Sequence, residues 1–241
     1  METNPLLNVQ PSGIDNVDHF YFREWNSIAY KFNSDYGFLL NKVPSEVVKQ
    51  IDIDINDIKN SSNKVRANTK LAGQIENEFM YPPSSVIENY IKGIVEKYEI
   101  SSNGYISKHL KKQFTDKSTL KLSLSHLWVN FQKKYEYNPM HDHSGVLSFV
   151  IWHKNPFLYR DEVKQDPAKK GNLLCTNGLF SFVFSDGGRV LEQYIPVDKN
   201  WEGYIAVFPS NLLHQVYPFY TSNDYRISIS GNIMFQHDER E

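Results

Sequence analysis

A mainly β barrel or sandwich of short strands, with N-terminal helices, is the fold class this sequence predicts, and three observations carry the prediction. From Leu120 onward the chain runs in short apolar or alternating segments separated by turn residues. Aromatic residues make up 14% of the chain, with 15 Tyr and 15 Phe, side chains that favour pleated, half-buried surfaces. Before Leu120 the apolar residues recur instead at helical spacing. A length of 241 residues fits one large all-β domain with helical additions, and we read 1–241 as a single domain with a mostly helical part over 1–119 packed on a β core over 120–241.

In the first half, Ser85-Val86-Ile87-Glu88 has the form of a capping box, and Ile87, Ile91, Ile94 and Val95 then share one face of a helix running through Lys97. An earlier helix opens near Pro44-Ser45-Glu46 with Val47, Val48 and Ile51 on one face, and Gly104 to Gln113 predicts a third. Asn60-Ser61-Ser62-Asn63 marks a loop between the first two. In the second half we expect strands at 121–132, 146–153, 179–185, 189–196, 203–208, 213–217 and 225–235. Asp186-Gly187-Gly188 joins two of them as a tight hairpin, because glycine tolerates the positive φ such a turn demands. The polar, Pro-containing stretch Lys154 to Asn172 is long for a connection in a compact domain and is a candidate lid.

Several function classes are disfavoured by composition. A formal net charge of −2 and a pI near 6.5 provide no field that would gather nucleic acid or an anionic membrane. Lys111-Lys112 and Lys169-Lys170 read as solvated faces. No segment reaches the apolar length that spans a bilayer, and the N-terminus lacks a charged stretch followed by an apolar run. We therefore expect an intracellular protein, a setting that includes a phage- or virus-infected host cell. Cys175 is the only cysteine, so the chain forms no internal disulfide or thiolate zinc knuckle, and as part of Leu173-Leu174-Cys175 it reads as core.

Metal-capable side chains are densest in Asn138-Pro139-Met140-His141-Asp142-His143-Ser144-Gly145. If this segment is extended, His141 and His143 point one way and Asp142 the other, so two imidazoles face one point. His214, where a turn feeds another strand, is placed to supply a third. Three protein ligands on one side leave positions open for a chelating cosubstrate and dioxygen, as non-haem iron oxygenases require. Twelve residues later, Arg226, Ser228, Ser230 and Asn232 share one face of a strand while Ile227, Ile229 and Ile233 share the other. On a barrel strand that polar face lines a cavity, where a guanidinium offers a planar fork for a carboxylate and Ser228 one further donor.

The spacing His141-x-His143, His214, Arg226-x-Ser228 resembles the Fe(II)/2-oxoglutarate-dependent oxygenases, in particular uncharacterised phage-type members. Closer matches are Leu71-Ala72-Gly73-Gln74-Ile75, Trp128-Val129-Asn130-Phe131, the 138–145 segment, Ser148-Phe149-Val150-Ile151-Trp152 and Phe208-Pro209-Ser210. The resemblance implies a double-stranded β-helix (a cupin-like jelly roll), with Fe(II) held by His141 and His214. It also implies that Arg226 and Ser228 hold the distal carboxylate of 2-oxoglutarate, with Tyr137 and Asn130 as further contacts. Most of that superfamily carries His-x-Asp, whereas the matching position here is His143. Three arrangements follow: His143 completes a three-histidine site, Asp142 swings inward on an irregular backbone, or the register is His143-Ser144-Gly145, resembling the halogenase variant. The first needs no irregular backbone and is preferred.

The substrate, a small molecule or a protein side chain, carries no signature in the sequence. Three histidines also suit a hydrolytic zinc site, in which Arg226-x-Ser228 has no required role, and a catalytically silent jelly-roll binding module is the alternative from a different class. His19, His109 and His237 read as ordinary surface or core residues. His126 and His153 are expected to be packed strand histidines, with His126 sharing a face with Trp128 and Asn130.

Overall fold

The computed structural model describes residues 19–20, 27–31, 37–68, 71, 73–113, 120–165, 175–186 and 188–237. Its elements run β1 (His19–Phe20), β2 (Ser27–Lys31), β3 (Gly37–Lys42), α1 (Ser45–Asn60), β4 (Asn77–Met80), α2 (Ser85–Ser101) and α3 (Tyr105–Gln113). There follow β5 (Leu120–Gln132), β6 (Asn138–His141), β7 (Leu147–Lys154), α4 (Tyr159–Gln165), β8 (Phe180–Asp186), β9 (Arg189–Ile195), β10 (Tyr204–Pro209), β11 (Leu213–Val216) and β12 (Arg226–His237). All strand pairs are antiparallel: β1-β2-β3-β10-β7-β12-β5-β4 form a large sheet and β6-β11-β8-β9 a small one.

Period-two alternation sorts the apolar side chains into two cores. Leu147, Phe149 and Ile151 of β7, with Ile227, Ile229 and Ile233 of β12, face outward onto the helices. There they meet Val47, Ile51, Ile55 and Ile58 of α1 and Ile87, Ile91, Ile94 and Val95 of α2, which are spaced to form one buried stripe per helix. Val150 and Trp152 point the other way, into a core shared with Phe180, Phe182 and Phe184 of β8 and Phe208 of β10. Two facing antiparallel sheets around this inner core make a jelly roll, the expected double-stranded β-helix. Gly231 allows the close approach at the centre of the large sheet: a Cβ there would lie 2.8 Å from the Phe149 ring and 3.0 Å from the His126 carbonyl.

Each strand expected beyond residue 120 is present within a residue or two. The hairpin is as tight as foreseen, since Asp186 pairs with Arg189 and Gly188 has φ +80°. Three expectations are corrected. The first half is not only helical, because β1 to β4 join the large sheet on both flanks. Ser84, not Ser85, caps α2: it is extended, and its hydroxyl accepts from the Ile87 amide at 3.5 Å. The helix also continues past Lys97 to Ser101. Lys169-Lys170 and Leu173-Leu174 lie outside the described residues, as do the side chains of Lys111, Lys112, His19 and His237. Among the described residues no helix is long and apolar enough to cross a membrane.

Candidate active site

His141 and His214 are direct cross-strand partners at the edge where β6 pairs with β11, so their side chains leave the sheet side by side. Beyond the end of β6 the His143 amide donates to the Ser210 carbonyl at 2.8 Å, which keeps the chain folded back towards β11. Gly145, with φ +115°, is needed just after it: a Cβ there would sit 2.8 Å from the Ile233 carbonyl. The outcome is three imidazoles around one point, with ring centroids 4.3 Å apart for His141 and His214 and 5.0 Å for each of the other two pairs. Their ligand-capable nitrogens all lie within 4.8 Å of one another, close enough to share a metal ion.

The protonation states suit that role. His141 Nδ1 lies 2.7 Å from the Pro139 carbonyl and His214 Nδ1 lies 2.9 Å from the Leu212 carbonyl. A carbonyl only accepts, so Nδ1 carries the proton in both rings and Nε2 keeps its lone pair for an ion. Burial holds all three histidines below their ordinary pKa, His143 at about 4 and His214 well below the usual range, and for both the neighbouring rings disfavour charge further. The cluster is neutral at physiological pH. Asp142 is exposed and outside it, so the arrangement contains the third histidine rather than a carboxylate.

Across the barrel interior, β12 presents Arg226, Ser228 and Ser230 to the same cavity as the three histidines, together with Trp128, Asn130 and Gln132 of β5. The cavity encloses about 40 Å³, room for only a few water molecules. Arg226 is buried and clamped. Its Nε and Nη2 both donate to Gln132 Oε1 at 3.0 and 2.8 Å, Nη2 also reaches the Tyr217 carbonyl at 2.7 Å, and Nη1 reaches the Gly178 carbonyl at 3.0 Å. Phe157 and Phe219 lie close to the guanidinium, 5.7 and 5.5 Å from its carbon to their ring centres. Burial lowers its pKa to about 9, and it stays a cation at neutral pH without an ion pair among the described residues. Ser228 accepts from Asn130 Nδ2 at 3.2 Å, which leaves the serine proton free to donate elsewhere.

Residues 126–232, the stretch that holds all of these groups, match the family model described as "Putative 2OG-Fe(II) oxygenase". The match covers less than half of the chain and supports a 2OG-dependent dioxygenase. The oxygenase depends on Fe(II) and 2-oxoglutarate. Its fold is similar to that of a prolyl-4-hydroxylase from Pseudomonas putida, at 12% identity and TM-score 0.50, over 81% of this chain and 91% of that one. Lesser likenesses are to a 2OG-Fe(II) oxygenase family oxidoreductase from Burkholderia pseudomallei (12% identity, 88% and 85% covered, TM-score 0.41) and to the viral collagen prolyl hydroxylase of Paramecium Bursaria Chlorella virus-1 (15% identity, 80% and 94% covered, TM-score 0.42). At such identities these likenesses concern the fold alone. No curated protein matches the chain.

Not every residue singled out in the oxygenase's sequence reaches the cavity. Asn130 lines it, but Tyr137 does not; the Tyr137 carbonyl instead accepts the Gln74 amide at 2.9 Å, and its neighbour Asn138 faces inward. His126 is exposed and hydrogen-bonds Ser125, whereas Trp128, two residues on, packs 5.5 Å from the His143 ring. His153 is buried on the helical side of β7 and pairs with Asp52, and Cys175 is buried as expected. The described part of the candidate lid is pinned: Glu162 of α4 is buried and accepts the Tyr220 and Thr221 amides at 2.9 and 2.8 Å. Its remainder, 166–172, lies outside the described residues. Sequence reasoning passed over Gln132, although it continues the Trp128, Asn130 alternation; its partner, Arg226, is 94 residues away.

Proposed function

We propose that this oxygenase hydroxylates a small molecule or a protein side chain, with His141, His143 and His214 holding iron and Arg226 and Ser228 holding the distal carboxylate of 2-oxoglutarate. Bound together, iron, 2-oxoglutarate and dioxygen supply the oxidation, with release of succinate and CO2. The observation that carries the reading is the pairing within one cavity of three neutral, lone-pair-bearing imidazoles with a buried guanidinium that makes no direct ion pair among the described residues, the charge of Glu162 acting on it only from beyond contact. A divalent ion fits the first group and a carboxylate fits the second.

The chain's own contributions are placement and dryness. The Pro139 and Leu212 carbonyls fix two of the rings and their tautomers, so the ligand set is oriented before an ion arrives. Trp128, Phe180 and Phe208 wall the site with apolar surface, which strengthens electrostatic contacts and keeps out bulk water. Asn130 holds Ser228 with its proton directed away, leaving that proton and the remaining Nη1–H of Arg226 for a carboxylate. Because the cavity is small, a diacid enters only when side chains at the arginine end part.

Anaerobic loading with Fe(II), metal analysis and assay of succinate formation test the assignment. His214→Ala should lose bound iron and lower turnover by more than the roughly 10–100-fold typical of groups that only support a ligand. Asp142→Ala should retain both. Full iron occupancy in His214→Ala, or loss of iron in Asp142→Ala, would overturn the proposed ligand set, and stoichiometric zinc with no response to 2-oxoglutarate would favour the hydrolytic alternative.

A further inference from the structure

Backbone pairing divides the barrel cavity into three levels. At the first, His141 faces His214 across β6 and β11, and Trp128 pairs with Ser230 across β5 and β12, its ring 5.5 Å from that of His143. At the third, Gln132 pairs with Arg226, whose Nη2 reaches the Tyr217 carbonyl. Between them Asn130 pairs with Ser228 and Asn138 with Val216, and these four residues line the cavity. Asn138 would not face inward on a regular strand. It lies three residues before His141, an odd step that turns two side chains to opposite faces. A register shift, three steps on β6 against two on β11, brings both to the cavity.

The amide placed there takes no part in the hydrogen bonding of the fold. Asn138 is half-buried; its Oδ1 is buried without a partner among the described residues, and its Nδ2 donates to nothing there. The oxygen is turned to Gly73: a Cβ on that glycine would overlap Oδ1 and lie 3.1 Å from Cγ but 3.7 Å from Nδ2. Neighbouring bonds hold Gly73 against the amide. The Gln74 amide donates to the Tyr137 carbonyl at 2.9 Å, and Asn68 Nδ2 donates to the Ile75 carbonyl at 2.6 Å. Nδ2, on the side away from Gly73, is the polar atom left for the cavity. An unpaired buried oxygen is destabilising, so folding alone does not account for an asparagine at this position.

We propose that Asn138 is a further positioning residue for the cosubstrate: its Nδ2–H donates to the 2-oxo acid end of 2-oxoglutarate, and Gly73 fixes the amide in that sense. The inference rests on the iron and cosubstrate assignments above. A 2-oxo diacid near neutral pH offers acceptors only, so it is matched by an amide nitrogen and not by the sealed oxygen. Its distal carboxylate belongs to the Arg226 level, and the methylene carbons at the middle level have nothing to bond. The oxo acid end, beside His141, is the acceptor next to Asn138.

Anaerobic calorimetry of 2-oxoglutarate binding to the Fe(II)-loaded full chain tests this, with iron content read beside it. Asn138→Ala should weaken binding about tenfold or more, the scale of a hydrogen bond to a charged group, with iron content unchanged. At saturating 2-oxoglutarate the visible absorption band of the iron–cosubstrate pair should also shift, a change that a merely structural role would not produce. Gly73→Ala should weaken binding by displacing the amide, and in the double variant it should add nothing, because its methyl then has nothing to displace. Wild-type affinity in Asn138→Ala, loss of its iron, or an unshifted band would overturn the role of Asn138. An undiminished Gly73→Ala effect in the double variant would overturn the part given to Gly73. Absence of 2-oxoglutarate binding by the iron-loaded wild-type chain would overturn the cosubstrate assignment itself, and this proposal with it.

Discussion

The two ends of the barrel cavity are prepared differently. At the histidine end each fixed ring spends Nδ1 on a backbone carbonyl and keeps Nε2 uncommitted. At the arginine end Gln132 and the carbonyls of Gly178 and Tyr217 already take donors from Nε, Nη1 and Nη2, so most of the fork is engaged. The difference follows from what each group requires. A neutral imidazole tolerates burial with one hydrogen bond, but a buried guanidinium without acceptors is destabilising by several kcal/mol. A cation held ready for an anionic ligand must therefore be stabilised in the meantime, and the carboxamide of Gln132 does this without neutralising the charge. Under the proposed assignment, the histidine end would set whether an ion binds and the arginine end how much diacid is needed.

The largest effect on this contrast is expected from Arg226→Ala. Removing one partner of a buried, hydrogen-bonded charge contact costs about 2 kcal/mol or more, which is roughly a 30-fold rise in the 2-oxoglutarate requirement. Iron occupancy should be unchanged, since the histidines do not touch this residue. Steady-state KM for 2-oxoglutarate, read beside metal content, checks the prediction; loss of iron in the same variant would show that the two ends are not separable. Gln132→Glu is the subtler probe. A carboxylate in place of Gln132 Oε1 forms an ion pair with the guanidinium and repels an incoming diacid. We expect KM to rise by about an order of magnitude with kcat retained at saturation, a pattern that marks lost ground-state binding. An unchanged KM would mean that Gln132 is not in competition with the cosubstrate.

What could be read from the sequence, and what could not, follows the same division. His141 and His143 are two residues apart, and the polar face of β12 repeats every second residue, so both are local patterns that survive folding intact. Gln132 sits on an equally regular strand, but its importance comes from a contact with Arg226 across 94 residues, which no local period encodes. Strand β3 was missed for a different reason. Phe38 and Leu40 face the inner core while Leu39 faces the helices, so a strand buried on both sides shows a continuous apolar run and not alternation. Strand β4 reads Asn-Glu-Phe-Met and looks like a loop, because a buried glutamate is not a residue one assigns to a sheet.

That glutamate offers the smallest and most pH-specific test of how the arginine side of the barrel is held. Glu78 lies directly opposite Asn130 on β5, buried, with Oε2 accepting from Asn68 at 3.3 Å and Oε1 without a partner among the described residues. Burial, and to a lesser degree the charge of Glu136, raises its pKa from the ordinary 4.5 to about 7. The folded chain thus keeps a proton that the unfolded chain releases. The associated stabilisation is complete below the unfolded value and is lost as pH rises through about 7. Glutamine imitates the protonated acid at every pH. Glu78→Gln should therefore raise Tm by a few degrees at about pH 8, with the gain shrinking to nothing by about pH 4. A gain of equal size at both pH values would assign the effect to packing, and a loss at pH 8 would mean that the ionised carboxylate has a partner that Asn68 and Asn130 do not provide.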